Sequence, residues 1–373
     1  MTTPAPLTGI RIVELAGIGP GPFAGMMLAD HGAEVIRIDR PGKVGLRIDA
    51  MDPLLRSRRS VALDLKRPEA VAAVRRIVAE ADGLIEGFRP GVTERLGLGP
   101  EALLRDNPRL VYGRMTGWGQ TGPMAQEPGH DINYLALSGT LHALGRAGDK
   151  PTPPINLAAD FGGGGMMLAF GMLAALLHAR KTGQGQVVDA AMTEGSAVLA
   201  GMIWGFRAMG QWSDERGRNL LDTGAHFYDT YECADGRYVS LGAIEPQFYA
   251  EFRRVMALDE AKWDRQMDPR VWDDLKTDLT ARFLTRTRDE WVAAFQGHEV
   301  CFAPVLGFDD ARAHPHNVAR GAFVEAGGVP QPAPAPRYSA SVTVPPRMAG
   351  AREDRAVLAD LGFDADEIAA LGH

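Results

Sequence analysis

Cysteine is nearly absent from this chain of 373 residues: only Cys233 and Cys301 occur. With no CxxC pair and no dense histidine cluster, neither a disulfide framework nor a zinc site has a ligand set to build on, so no metal is expected and a reducing cytoplasm is the expected setting. Surplus positive charge is missing too. The formal net charge of -7 argues against a general nucleic-acid binder, because phosphate backbones are held by excess lysine and arginine. The opening MTTPAPLTGIRIVELAG lacks the unbroken apolar stretch of a secretory signal, since Arg11 and Glu14 interrupt it, and no export is expected. Long apolar runs are scarce. The longest uncharged one, Phe161 to Leu177, holds five glycines and is closed by His178, Arg180 and Lys181. It is short for a membrane span and reads as a buried helix. No internal repeats occur.

What is present is alternation. The run IRIVELA from Ile10, then GIGPGP, then FAGMMLADHGA with helical spacing, then EVIRIDRP, reads as a β-α-β unit. A second unit runs from SVALDL to GLIEGF, with Pro68 suited to a first helical turn, and a third strand follows in RLVYGRMTG. This is the pattern of an α/β fold with a mostly parallel, Rossmann-like sheet covered on both faces. GQGQVVDAA then reads as a strand leading into a long helix. HFYDTYECADGRYVSLGA reads as an antiparallel hairpin turning at ADG, followed by helices near 247–256 and 270–295. The segment GGVPQPAPAPRYSASVTVPP reads as an extended connection. The expected organisation is a large α/β domain over 1–190, a linker-helix region over 191–224, a small α+β domain over 225–310, and a return linker with a C-terminal segment packing on the large domain over 311–373.

The turn GPGPFA satisfies a relaxed dinucleotide pattern through Gly19, Gly21 and Ala24, with Asp39 at the end of the next strand. A nicotinamide dehydrogenase is therefore one reading. Against it, Pro20 and Pro22 remove two N–H donors from the turn that would cradle a pyrophosphate. Downstream, Arg47, Arg56, Arg58, Arg59, Lys66, Arg67, Arg89 and Arg95 gather cations in an acidic chain. A solvated face is the plain account. A ligand with several phosphates is the other, because guanidinium forks pair with phosphate oxygens, and coenzyme A fits that demand.

Three groups stand out for proton chemistry. His130 follows a glycine in GHDINYLALSG; Asp160 precedes Gly162–Gly165; Glu245 lies in GAIEPQF at a strand end. Each has an ordinary explanation: a hydrogen-bonded histidine, a helix N-cap, an unremarkable carboxylate. The four consecutive glycines are less ordinary, costing roughly 1 kcal/mol each relative to alanine in a helix interior. Either a substrate or a neighbouring helix must approach that backbone closely.

Taken together, VELAGIGPGPFAGMMLADHGAEVIRIDRP, EGFRPGVTERLGLGP, RMTGWGQTGP, GHDINYLALSG, DFGGGG, YDTYECADGRYVSLGAIEPQF and APAPRYS resemble the racemase branch of the family III CoA-transferase superfamily, from about residue 7 to residue 340. The resemblance implies 1,1-proton transfer at the α-carbon of a branched-chain 2-methylacyl-CoA thioester, without metal or redox cofactor, in an interlocked homodimer. It implies that His130 and Asp160 are opposed acid/base groups, that Glu245 pairs with the histidine, and that Asp131, Asn156 and Tyr228 shape the pocket. It places CoA contacts on Arg40, on Leu63, Asp64, Leu65 and Lys66, on Gly87, Phe88 and Arg89, on Arg95, and on Gly129, Ile132, Asn133 and Tyr134. The small domain of one subunit would bring Glu245 and Tyr228 to His130 of the other. The chain's fifteen methionines, Met166, Met167, Met192 and Met202 among them, either fill cores or give an adaptable acyl surface.

The nearest alternative is a family III CoA transferase in which Asp160 attacks the thioester as a nucleophile. Transferases of the superfamily tend to carry tyrosine at the place of His130 and a sequence like IGNDRQ at the place of GAIEPQ; this chain departs from them at both. A noncatalytic CoA-binding protein is the remaining reading, and it gives the His130, Asp160 and Glu245 set no task.

Overall fold

The computed structural model describes residues 3–42, 51–348 and 353–373; Arg47 lies outside them. The chain divides into two compact units, one of Met1–Ser138, Ile155–Leu199 and Gly321–His373, the other of Gly139–Pro154 and Ala200–Arg320.

In the first unit the β-branched runs pair as six parallel strands: β1 (Arg11–Leu15), β2 (Glu34–Asp39), β3 (Arg58–Ala62), β4 (Gly83–Glu86), β5 (Val111–Thr116) and β6 (Gln186–Ala191). Their order is β3-β2-β1-β4-β5-β6, so crossovers leave β1 in opposite directions and open a crevice at the C-terminal ends of β1 and β4. β4 and β5 are buried at every position, as a sheet covered on both faces requires. Helices α1 (Pro20–Asp30) and α2 (Pro68–Ala79) each begin with proline in the first turn, where its missing N–H is not needed. The C-terminal helices Asp354–Asp360 and Ala365–Ala370 bring Leu358, Phe363 and Ile368 into one core with Val61, Val74, Ile77 and Leu84.

The glycine run belongs to a π-helical segment, Leu157–Met166, that continues as the α-helix Met167–Thr182. Sequence periodicity did not show it, because a π stretch differs from an α-helix only by one residue per turn. The continuous helix is long and apolar enough to cross a membrane, yet its buried residues cover the sheet, with Met172 packed over Gly83 and Gly113. The expectation of a buried helix holds for one face and is corrected for the other: Phe170 and Leu177 are 71% and 63% exposed.

Tight helix packing explains the glycines. A Cβ on Gly163 would lie 2.6 Å from the Ser196 backbone nitrogen, one on Gly164 would lie 2.8 Å from Met192, and one on Gly165 would lie 2.7 Å from the Phe23 ring. The helix expected after β6 is two helices, Met192–Leu199 and Gly201–Ala208. Likewise the 270–295 stretch divides into Trp272–Phe283 and Arg288–Phe295. Thr287 and Glu290 form a capping box that starts the second of these, a signature readable as T-x-x-E.

Four members of the cation cluster, Arg56, Arg58, Arg59 and Arg67, are engaged within the fold, which narrows its reading as a phosphate surface. Arg56 is buried and gives both Nε and Nη2 to Asp30, at 3.0 and 2.5 Å, while its Nη1 donates to Gln331 and to the Pro332 carbonyl, each at 2.9 Å. Arg37 and Arg58 share the fully buried Glu14 at 2.7 and 2.9 Å. Arg59 pairs with Glu34 and Asp360, and Arg67 donates to the Ala370 carbonyl.

In the second unit the predicted hairpin is present as β7 (Tyr228–Glu232) and β8 (Tyr238–Gly242), with β9 (Phe302–Pro304) as an unforeseen third strand. Segment 139–154 is tied to this unit by Arg146, which pairs with Asp229 at 2.9 Å. The proline-rich connection is corrected in part: its beginning pairs as an antiparallel hairpin, β10 (Phe323–Ala326) with β11 (Val329–Pro332), because Gly327 and Gly328 supply the positive φ of its turn.

Alanine ordinarily stabilises a helix interior relative to glycine. Here Gly163→Ala is expected to destabilise the chain by about 1–3 kcal/mol through overpacking against helix Met192–Leu199. The midpoint of urea unfolding checks it, and an unchanged or higher midpoint contradicts the packing account.

Candidate active site

Three consecutive devices position His130. Trp118 and Tyr134 stack edge to face at 4.7 Å, and the Tyr134 hydroxyl donates to the Gly129 carbonyl. Gly117 and Gly129 are glycines because the Tyr134 ring occupies the space a Cβ would need. The chain then enters helix Asp131–Leu137, with the His130 N–H donating to Asn133 Oδ1 at 3.0 Å. His130 itself is exposed. In the first turn, the Asn133 and Tyr134 amides donate to the His130 carbonyl, while those of Asp131 and Ile132 have no acceptor among the described residues, as first-turn amides commonly do not.

Asp160 reaches the same place from the π-helical segment. It is not the N-cap expected from sequence: the helix begins at Leu157, and the cap comes from outside it. The buried Asp131 carboxylate accepts the amides of Ala159 at 2.9 Å and Asp160 at 2.7 Å. The Asp160 carboxyl is half-buried and receives the Asn156 side-chain amide at 3.3 Å. Burial raises its pKa above the ordinary aspartate value, with Asn156 and His130 pulling down and Asp131 pushing up. The link between the two residues is through the backbone: Asp131, which accepts the Asp160 amide at 2.7 Å, is the residue after His130.

Asp160 also rests against the first βα turn. Gly19 has φ +66°, and a Cβ there would lie 3.4 Å from Asp160 Oδ2. A carboxylate stands where a dinucleotide pyrophosphate would lie in this strand order, and like charge makes that position hostile to phosphate. Pro20 and Pro22 offer that carboxylate no N–H. The nicotinamide reading fails on this geometry. Ile155 is a β-branched residue at φ +57°, strained by of order 1–3 kcal/mol, just before Asn156. Nothing in the sequence signalled it.

The CoA positions carried by resemblance fall along the C-terminal ends of the strands. Arg40 follows β2; Leu63 through Lys66 follow β3, where Asp64 Oδ1 accepts the Lys66 amide at 3.1 Å; Gly87 through Arg89 follow β4. Leu63 is buried and the cations are exposed. Arg40, Lys66, Arg89 and Arg95 make no ion pair among the described residues, unlike Arg56, Arg58 and Arg59. The β4 turn is held from beneath: buried Glu86 accepts the Phe88 amide at 2.7 Å and Arg114 Nε at 2.8 Å, and Arg114 reaches on to Glu94 at 2.8 Å. The Tyr134 hydroxyl is pushed up chiefly by burial, then by the Asp160 charge, with Arg89 opposing. Gly129, Ile132 and Asn133 lie along the same loop and first helical turn.

Glu245 and Tyr228 belong to the second unit. Glu245 is exposed before helix Pro246–Met256, and Tyr228 stands on β7 opposite Gly242. Among the described residues no group of His, Cys, Asp and Glu is arranged to hold a metal.

A family model described as CoA-transferase family III matches residues 7–356. The alpha-methylacyl-CoA racemase of Mus musculus is 46% identical over 370 residues, covering 97% of this chain and 95% of that protein. Its Homo sapiens namesake is 47% identical over 331 residues, covering 88% and 86%. Among solved structures, a CAIB/BAIF family protein from Brucella suis superposes with a TM-score of 0.82 at 29% identity, over 96% of this chain and 100% of that one.

A carboxyl whose folded pKa is raised lowers stability as pH rises from its unfolded value, 3.8 for aspartate, through the folded value. Asp160→Asn is therefore expected to be more stable than the unsubstituted chain near pH 7, with the difference vanishing once both are neutral below about pH 3.5. Thermal unfolding midpoints at the two pH values check this. A variant less stable at pH 7 contradicts it.

Proposed function

The chain belongs to CoA-transferase family III, and on that basis we propose that it racemises 2-methylacyl-CoA thioesters by moving the α-proton between faces. The observation that carries this reading is the tie between the two proposed proton carriers: Asp131, next to His130, accepts the backbone amide of Asp160 at 2.7 Å. The near-full-length identity to racemases supports it.

A thioester α-proton is weakly acidic. One group must take it as a base while donors hold the enolate oxygen, and a second group must return a proton to the opposite face. With one enantiomer His130 is the base and protonated Asp160 the acid; with the other the roles exchange, and the enzyme ends each turnover in the complementary protonation state. Proton exchange with solvent resets it. A raised Asp160 pKa suits a group that must hold a proton in one direction and accept one in the other. The first-turn amides of Asp131 and Ile132 are suited to the developing oxyanion. Neither redox nor metal chemistry is called upon, so we propose that no cofactor beyond the substrate's own CoA is used. Arg40, Lys66, Arg89 and Arg95 are suited to its phosphates.

We also propose a homodimer. Phe170, Leu173 and Leu177 on one helix, with Val198 and Leu199 on the next, expose an apolar face of the kind a second copy covers. Glu245 and Tyr228 of the partner subunit would complete the site, the carboxylate orienting His130. A reducing cytoplasm suits the two free cysteines.

The test is incubation of one 2-methylacyl-CoA enantiomer in deuterated water, followed by NMR. Loss of the α-proton signal with inversion is expected, and acyl transfer to an added carboxylate without α-exchange contradicts the reading. Arg89→Ala is expected to raise KM about tenfold with kcat changed far less, since a phosphate contact is made equally in ground and transition states. A selective fall in kcat would contradict its assignment.

A further inference from the structure

Asp131 adjoins one proposed proton carrier in sequence, yet its carboxylate is engaged with the other. Its Oδ1 accepts the amides of Ala159 and Asp160, 28 and 29 residues along the chain. These are first-turn amides of the π-helical segment, which have no partner within it. Asp131 is 7% exposed, and its Oδ2 is buried with no hydrogen-bond partner among the described residues. Keeping a buried, half-satisfied carboxylate is costly. A mere cap would not need it, because asparagine could accept the same two amides through its carbonyl without the charge.

We infer that Asp131 is a positioning residue for Asp160, its Oδ1 fixing the backbone from which that carboxyl projects and its buried charge acting on the proton the carboxyl carries. The direction is set by like charge: an ionised Asp131 disfavours ionised Asp160. The titratable groups acting on Asp160 are Asp131 and His130, and Tyr134 lies close enough to feel its charge. From α1 and helix Met192–Leu199, the side chains against the glycine run are Pro20, Phe23, Met192, Ser196 and Leu199, none of them charged. The inference rests on the proton-transfer reading for its catalytic consequence, but not for its effect on Asp160.

Two variants of the full chain separate the cap from the charge. Asp131→Asn keeps an acceptor for both amides and removes the charge; Asp131→Ala removes both. The Asp160 carboxyl is titrated by NMR with carboxyl-labelled aspartate, its signal identified by its loss in Asp160→Asn. Asp131→Asn is expected to move the Asp160 midpoint to lower pH and, for the enantiomer whose proton Asp160 takes, to move the acid limb of kcat the same way. Asp131→Ala is expected to lower kcat by about ten- to a hundredfold while KM stays within about threefold, and Asp131→Asn to recover most of that loss. An Asp160 midpoint unchanged in Asp131→Asn, or an unchanged kcat in Asp131→Ala, overturns the inference. Should Asp131→Ala lose its cooperative thermal transition, the Asp131→Asn titration decides alone. Because the titration needs no substrate, it remains decisive even if the unsubstituted chain exchanges no α-proton, so failure of the two readings is distinguishable.

Discussion

The site depends on how the Asp160 carboxyl is seated. It lies half-buried against the Gly19 turn, on a π-helical segment that begins without a cap of its own and takes one from Asp131. Water is partly excluded, which disfavours ionisation, and the Asn156 side-chain amide that donates to the carboxyl opposes this only in part. Its closeness to Gly19 follows from the fit of three helices. Gly163, Gly164 and Gly165 let the segment lie against helix Met192–Leu199 and α1 at distances no side chain permits. The glycine run that looked like room for a substrate is room for neighbouring helices, and its effect on chemistry is indirect.

A second set of constraints fixes the floor beneath the CoA positions. Buried arginines are matched to buried carboxylates: Arg56 to Asp30, Arg37 and Arg58 together to Glu14, Arg114 to Glu86. Burying such charges is worthwhile only with well-formed hydrogen bonds, and each pair ties separated strands or loops together. Arg56 reaches from the start of β3 to Gln331 on the return segment, and Glu86 holds the turn that carries Arg89. Arg40, Lys66 and Arg89 at the strand ends, and Arg95 in the short helix after β4, make no ion pair among the described residues, so a polyphosphate can be met there without first breaking one.

Much of both units was legible in sequence. The β-branched runs, Pro68 at a helix start and the ADG turn have local causes, and the β-α-β alternation and the β7–β8 hairpin appear as read. What was not legible depends on partners far along the chain. Residue type does not tell Arg58, pinned on Glu14, from Arg89, free at an edge. The Asp160 N-cap was a sound local expectation, overturned by a carboxylate 29 residues earlier. Thr287-x-x-Glu290 was a local signal that could have divided the 270–295 helix. The exposed apolar face of Met167–Thr182 could not be foreseen from periodicity, because a helix apolar all round reads as buried.

The central claim is that His130 and Asp160 are two bases serving opposite faces of one α-carbon. The most direct measurement compares single variants on each enantiomer separately. In His130→Ala, α-proton exchange with deuterated solvent should persist for the enantiomer whose proton Asp160 takes, without inversion, and be lost for the other. Asp160→Ala should show the reverse. Loss or retention of exchange for both enantiomers in the same variant would contradict the account.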